Sequence, residues 1–132
     1  MVEYTEDDAR LAVAYGIVEA IRRARGSRVG LTVADVLAYA RAHVPTAGVA
    51  YERFRRGGRP VLFWLVRDYL NLLARRGLVT TWPRKRNTLY MVERGSKLWE
   101  LARGDSREAV EYILHVLGGA PALPGRGKLV NQ

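Results

Sequence analysis

Residues 78–82, Leu-Val-Thr-Thr-Trp, and residues 89–92, Leu-Tyr-Met-Val, are two short runs rich in β-branched and aromatic residues. Between them lies the polar, basic stretch Pro83-Arg84-Lys85-Arg86-Asn87-Thr88, a pattern that predicts one antiparallel hairpin with a charged tip. A lone hairpin is not stable in water, so the remaining segments have to cover it. Apart from the extended piece Arg28–Leu31, those segments carry helical periodicity. The expected fold class is therefore mainly α with a small β-hairpin, an α+β chain. At 132 residues it has room for one core. Residues 1–117 are expected to form the single domain, and residues 118–132, with turn formers and no periodicity, a flexible tail.

The helices are punctuated. The first is expected over Glu6–Arg25, with Thr5 as cap, Glu6, Asp7 and Asp8 against the positive end of its dipole, and Gly26 as its stop. Thr32 and Asp35 resemble a capping box for a second helix over Val33–Ala42, which must stop before Pro45. Residues 45–59 read as a connection holding at most a helical turn around Tyr51–Arg56, broken by Gly57 and Gly58. Pro60 suits the first turn of a third helix ending at Gly77, whose core side carries Leu62, Leu65, Val66, Tyr69, Leu72 and Leu73. Its opposite side carries Phe63, Trp64, Arg67, Asn71 and Arg75. A fourth helix is expected over Ser96–Ala102. A fifth, capped by Asp105, is expected to run to Leu117, with Gly118 and Gly119 closing it.

Charge is distributed unevenly. Of 22 Lys and Arg against 13 Asp and Glu, ten bases and a single acid, Asp68, fall between residues 53 and 86. The rest of the chain balances at twelve of each, so the whole excess of nine sits in that quarter. Such concentration argues for a polyanionic partner, most simply nucleic acid. Asn and Gln together number four, a scarcity expected of a heat-adapted, archaeal type of protein.

Other classes find little support. The longest apolar run, Val61–Val66, falls far short of the roughly 20 residues that span a bilayer. The acidic start followed by an amphipathic stretch is unlike a secretory signal, so a cytoplasmic, nucleoid-associated location is expected. The absence of cysteine excludes disulfides, thiolate metal sites and thiol nucleophiles. His43 and His115 are too isolated for a metal cluster. Asp7 with Asp8, and Glu108 with Glu111, read as solubilising charge rather than converging catalytic acids. Gly57-Gly58-Arg59-Pro60 lacks the Lys-Ser/Thr of a P-loop. No enzymatic activity, cofactor, metal or small-molecule ligand is expected.

The stretch Tyr69-Leu70-Asn71-Leu72-Leu73-Ala74-Arg75-Arg76-Gly77-Leu78-Val79, the basic hairpin, and Leu89-Tyr90-Met91-Val92-Glu93-Arg94-Gly95-Ser96-Lys97-Leu98 together resemble the winged helix-turn-helix proteins, of the bacterial and archaeal transcriptional-regulator type. The likeness covers about residues 28–102, with helices 6–25 and 105–117 flanking it. Glu93 stands where those regulators often have Thr, and the link over residues 43–59 is far longer than the family's tight turn.

The resemblance implies a double-stranded DNA binder, a transcriptional regulator or chromatin-associated factor. Its third helix would approach a major groove with Arg59, Phe63, Trp64, Arg67 and Asn71. Its wing tip would lay Arg84, Lys85 and Arg86 along a backbone or minor groove, with Arg53, Arg55 and Arg56 adding phosphate contacts. Flanking helices in such regulators build a dimer, and Tyr112, Leu114 and Val116 suggest the same use here, through the first and fifth helices; the alternative is a monomer in which these helices simply cover the three-helix core. Two alternatives stay open. Tyr51, Phe54, Phe63, Trp64 and Trp82 are interleaved with the arginines, a pattern suited to single-stranded DNA or RNA. Winged helices also serve as protein-interaction subunits in transcription, replication or RNA-processing complexes. For Phe63 and Trp64 the first reading is burial against residues 48–56 or a second subunit, and base stacking is the second.

Overall fold

A computed structural model of the chain describes residues 5–118. The described residues form six helices and a three-stranded antiparallel sheet. In chain order these are α1 (Glu6–Arg23), β1 (Arg28–Leu31), α2 (Val33–Ala40), α3 (Pro45–Arg55), α4 (Val61–Arg75), β2 (Thr80–Pro83), β3 (Thr88–Glu93), α5 (Lys97–Gly104) and α6 (Ser106–Val116). The expected tail lies outside the described residues except for Gly118.

The local signals act as chemistry requires. Thr5 with Asp8, and Thr32 with Asp35, close reciprocal capping boxes, each satisfying two backbone donors. Ser96 caps α5 and Asp105 caps α6 through their side-chain oxygens. The extended piece Arg28–Leu31 joins the hairpin, pairing with β3 from Arg28↔Glu93 to Leu31↔Tyr90, so the sheet order is β1-β3-β2.

Four expectations are corrected. The connection at residues 45–59 contains an eleven-residue helix, α3, rather than one turn. Pro45, read as a stop for the preceding helix, starts this one from its first turn, where a missing N–H costs nothing. Gly57 ends it at φ +98, with the Gly57 and Gly58 N–H groups returning to the Phe54 and Arg53 carbonyls. The first helix ends at Arg23, not Arg25. Its last carbonyls are taken by Arg103, whose Nη1 donates to Ile21 O at 3.1 Å and Ala24 O at 2.9 Å, and the chain leaves the helix at the extended Ala24. The second helix gives way to a turn over residues 41–43, and Pro60 lies before α4 as its cap residue rather than inside it.

The buried side of α4 is also rotated from the expected one. Leu62, Val66, Leu70 and Leu73 are fully buried, whereas Leu65, Tyr69 and Leu72 are partly exposed. Tyr69 faces α1 instead: its Oη accepts from Arg10 Nη1 and donates to Glu6 Oε1, both at 2.8 Å.

α1 is the centre of the core, packed against α2, α4, α5 and α6, with nine residues from Ala9 to Ile21 buried. Of the residues named for the expected dimer, Leu114 is 2% exposed, while Tyr112 and Val116 are half-buried and Tyr112 lies under Lys97 Nζ at 4.9 Å. The large exposed apolar residues among those described are Val49, Val61, Trp64 and Trp82, on α3, α4 and β2. No described helix is long and apolar enough to cross a membrane.

Candidate nucleic-acid interface

Burying Leu62 and Val66 leaves Val61, Trp64, Arg67 and Asp68 outward along the first half of α4, since these positions fall on the other side of a 3.6-residue turn. α3 ends against this half. The Phe54 and Phe63 rings stack at 5.1 Å and 11°, and Phe63 meets the edge of Trp64 at 5.1 Å. Arg59, in the short link between the helices, lays its guanidinium 4.6 Å from the Phe54 ring centre and 5.4 Å from that of Phe63. Arg67 lies 4.8 Å from the Trp64 ring and pairs with Asp68 at 3.1 Å. Each guanidinium thus rests on an aromatic face, which restrains it while leaving it in water.

Across from α4 stands the hairpin. Arg84 N donates to Asn87 O at 2.8 Å, and its guanidinium donates twice to Asn87 Oδ1, leaving Lys85 and Arg86 at the exposed tip. Between hairpin, α4 and the start of α2 runs a groove of about 520 Å³. It is lined by Arg59, Phe63, Trp64, Arg67 and Arg86 of the residues expected in the site, together with Phe54, Thr32, Val33, Ala34, Asn87, Thr88 and Tyr90. Three cations and no acid line it, and at the start of α2 the Thr32 and Asp35 N–H groups are taken by the capping box, leaving those of Val33 and Ala34 without an acceptor within the helix. The arrangement can hold phosphate oxygens at several points and offer aromatic faces between them.

The other expected residues lie apart from this groove. Arg53, Arg55 and Arg56 are exposed around the end of α3, and Arg55 pairs with Glu52 at 3.6 Å. Arg84 and Lys85 are exposed beside Arg86 but do not line the groove. Asn71 is half-buried, and its Oδ1 accepts a hydrogen bond from Tyr90 Oη at 2.7 Å. Burial holds the Tyr90 phenol above its ordinary range, Arg67 opposing the rise and Asp68 adding to it. Asn71 therefore ties α4 to the sheet. Asn71→Ala should cost about 1 kcal/mol, seen as a lower urea midpoint with an unchanged slope, because the phenol loses its acceptor. A changed preference among DNA sequences at unchanged stability would put the amide on bases instead.

Thr32, Val33, Ala34, Thr88 and Tyr90 carry no charge signal and come together only through tertiary packing. Phe54 and Asn87 were visible as neighbours of arginines. Elsewhere, three of the four acids considered as catalytic pairs, Asp7, Asp8 and Glu111, have structural partners. Asp7 pairs with Arg10 at 2.5 Å, Asp8 accepts from Thr5 N, and Glu111 pairs with Arg107 at 3.7 Å. The His43 ring stacks on Tyr15 at 4.5 Å. No cluster of three His, Cys, Asp or Glu among the described residues could hold a metal ion. Comparison of the chain with family models, with curated proteins and with solved structures found no match in any of the three.

Proposed function

We propose that the chain is a winged helix-turn-helix protein that binds double-stranded DNA, as a transcriptional regulator or chromatin-associated factor. The observation that carries this reading is the acid-free groove joining the first half of α4 to the wing through Arg59, Arg67 and Arg86. A helix followed directly by a basic hairpin, with a third strand from between the first two helices, is the order such proteins use. In this reading α4 lies in a major groove by its N-terminal half, Trp64 and Arg67 towards the bases. The wing follows the adjacent backbone with Lys85 and Arg86, and the start of α2 meets a phosphate. α3 stands where the family has a tight turn, and Phe54 on Phe63 fixes the end of α4 that would contact DNA.

The test is binding to a random-sequence duplex of about 30 base pairs across a salt series, beside the matching single strand. Log affinity for the duplex should fall linearly with log salt at about −0.9 per phosphate contacted. No binding to either would assign the charged face to a protein partner.

A further inference from the structure

The strand register sorts the sheet into two faces. Val29, Leu31, Tyr90 and Val92 pair on the side that joins the main core. Arg28, Gly30, Thr80, Trp82, Leu89, Met91 and Glu93 alternate onto the other side. The next pair outward is Arg84 opposite Asn87, so Arg84 shares that outer face.

On it, Trp82 is 49% exposed on an edge strand whose four residues are all exposed. Arg28 reaches across β3 to put its guanidinium 5.4 Å from the indole centre. Arg84, two residues along from Trp82, is held by its two donations to Asn87 Oδ1 at 3.2 and 3.1 Å, an amide that also borders the inner groove. On the same face Met91 is buried apart from the main core, its Sδ lying only 2.6 Å from where a Cβ on Gly30 would be. The indole therefore stands exposed with the Arg28 guanidinium against it and a second restrained cation two residues along the chain. Folding does not require an exposed tryptophan there, and nothing in the groove on the inner face uses it.

We propose that this outer face is a second nucleic-acid site that takes a single strand, one base stacking on Trp82 while the flanking phosphates meet Arg28 and Arg84. The wing would then carry a duplex on its inner side and an unpaired strand on its outer side. An open sheet face with one aromatic platform suits a splayed base; within a duplex the base faces are already stacked. The proposal rests on the duplex reading for the inner side only.

The probe is a twelve-nucleotide oligothymidine, with the 30-base-pair duplex, blunt or carrying a twelve-nucleotide overhang, as comparison. Trp82→Ala should weaken oligothymidine binding by roughly tenfold, and Trp82→Phe should restore most of it, since a ring suffices. Arg28→Ala should weaken it less and reduce its salt slope by about 0.7. Affinity for the blunt duplex should stay within about twofold of the parent in all three variants, while the overhang's added affinity disappears in Trp82→Ala. Oligothymidine affinity that is unchanged in Trp82→Ala, or absent in the parent protein, overturns the proposal. So does an equal loss for strand and blunt duplex, which would merge the two faces into one site. If the duplex fails to bind while the strand still depends on Trp82, the duplex reading falls and this site stands.

Discussion

Replacing Arg59, Arg67 and Arg86 together by Ala is expected to lower duplex affinity about a hundredfold near 0.1 M salt and to reduce the slope of log affinity against log salt by about 1.8. The slope follows from charge: Arg59 and Arg86 each meet a phosphate and release about 0.9 of a counterion, while Arg67, lining the same groove, faces the bases. Folding should be little affected, since all three are exposed and none pairs with an acid except Arg67 with Asp68. The loss should be uniform across sequences for the phosphate-bound part, with any sequence-dependent remainder assigned to Arg67, the one of the three on α4. The comparison is Arg53, Arg55 and Arg56 changed together. They carry the same charge but lie off the groove, so only long-range attraction is lost and the slope should change by less than half as much. Equal effects from the two triple variants would mean that net charge, not the groove, binds DNA.

Much of the fold was legible because its signals are local. Thr5 and Thr32 with acids three residues on, Asp105 and the turn glycines mark helix ends through hydrogen bonds made within one turn. The hairpin announces itself by β-branched residues around a polar loop. α3 was missed for an equally physical reason. Pro45 ends one helix and begins the next, and Gly48, which argues against a helix, lies where a Cβ would come within 3.3 Å of Arg41 Cβ. Ala47 and Ala50 bury too little apolar surface for periodicity to outweigh the two breakers. Small residues that permit close packing are weak signals in a reading based on large apolar side chains. The rotation of α4 was hidden likewise. Leu70 and Leu72 are chemically equal, and which one is buried depends on where α1 and the sheet lie. The site shows the same division. Its arginines were visible as a charge run, and the groove brings Arg59, Arg67 and Arg86 together. The start of α2 and the Asn71–Tyr90 bond were not visible, since they depend on contacts between distant segments.

Gly16→Ala is expected to destabilise the protein by about 2–3 kcal/mol, although the same change in an exposed helix would stabilise it by about 1 kcal/mol. Gly16 lies in the middle of α1, where α2 crosses. A Cβ there would stand 2.6 Å from the Val36 carbonyl oxygen and 2.8 Å from Val36 Cγ1. The side chain could turn away, but the carbonyl belongs to the backbone of α2 and moves only if the helices separate. Val36→Ala should therefore fail to rescue Gly16→Ala, which distinguishes a backbone clash from a crowded side chain. The consequence extends to the proposed site. α2 begins at Val33 and ends at Ala40, so a displacement at Val36 is carried to Thr32, Val33 and Ala34 at the groove. Duplex affinity should fall severalfold at temperatures where Gly16→Ala remains folded, while its salt slope should fall by no more than the one contact made at the start of α2. A Gly16→Ala protein with a raised melting temperature would show that α1 and α2 are not in such close contact, and with it the central position of α1 would have to be given up.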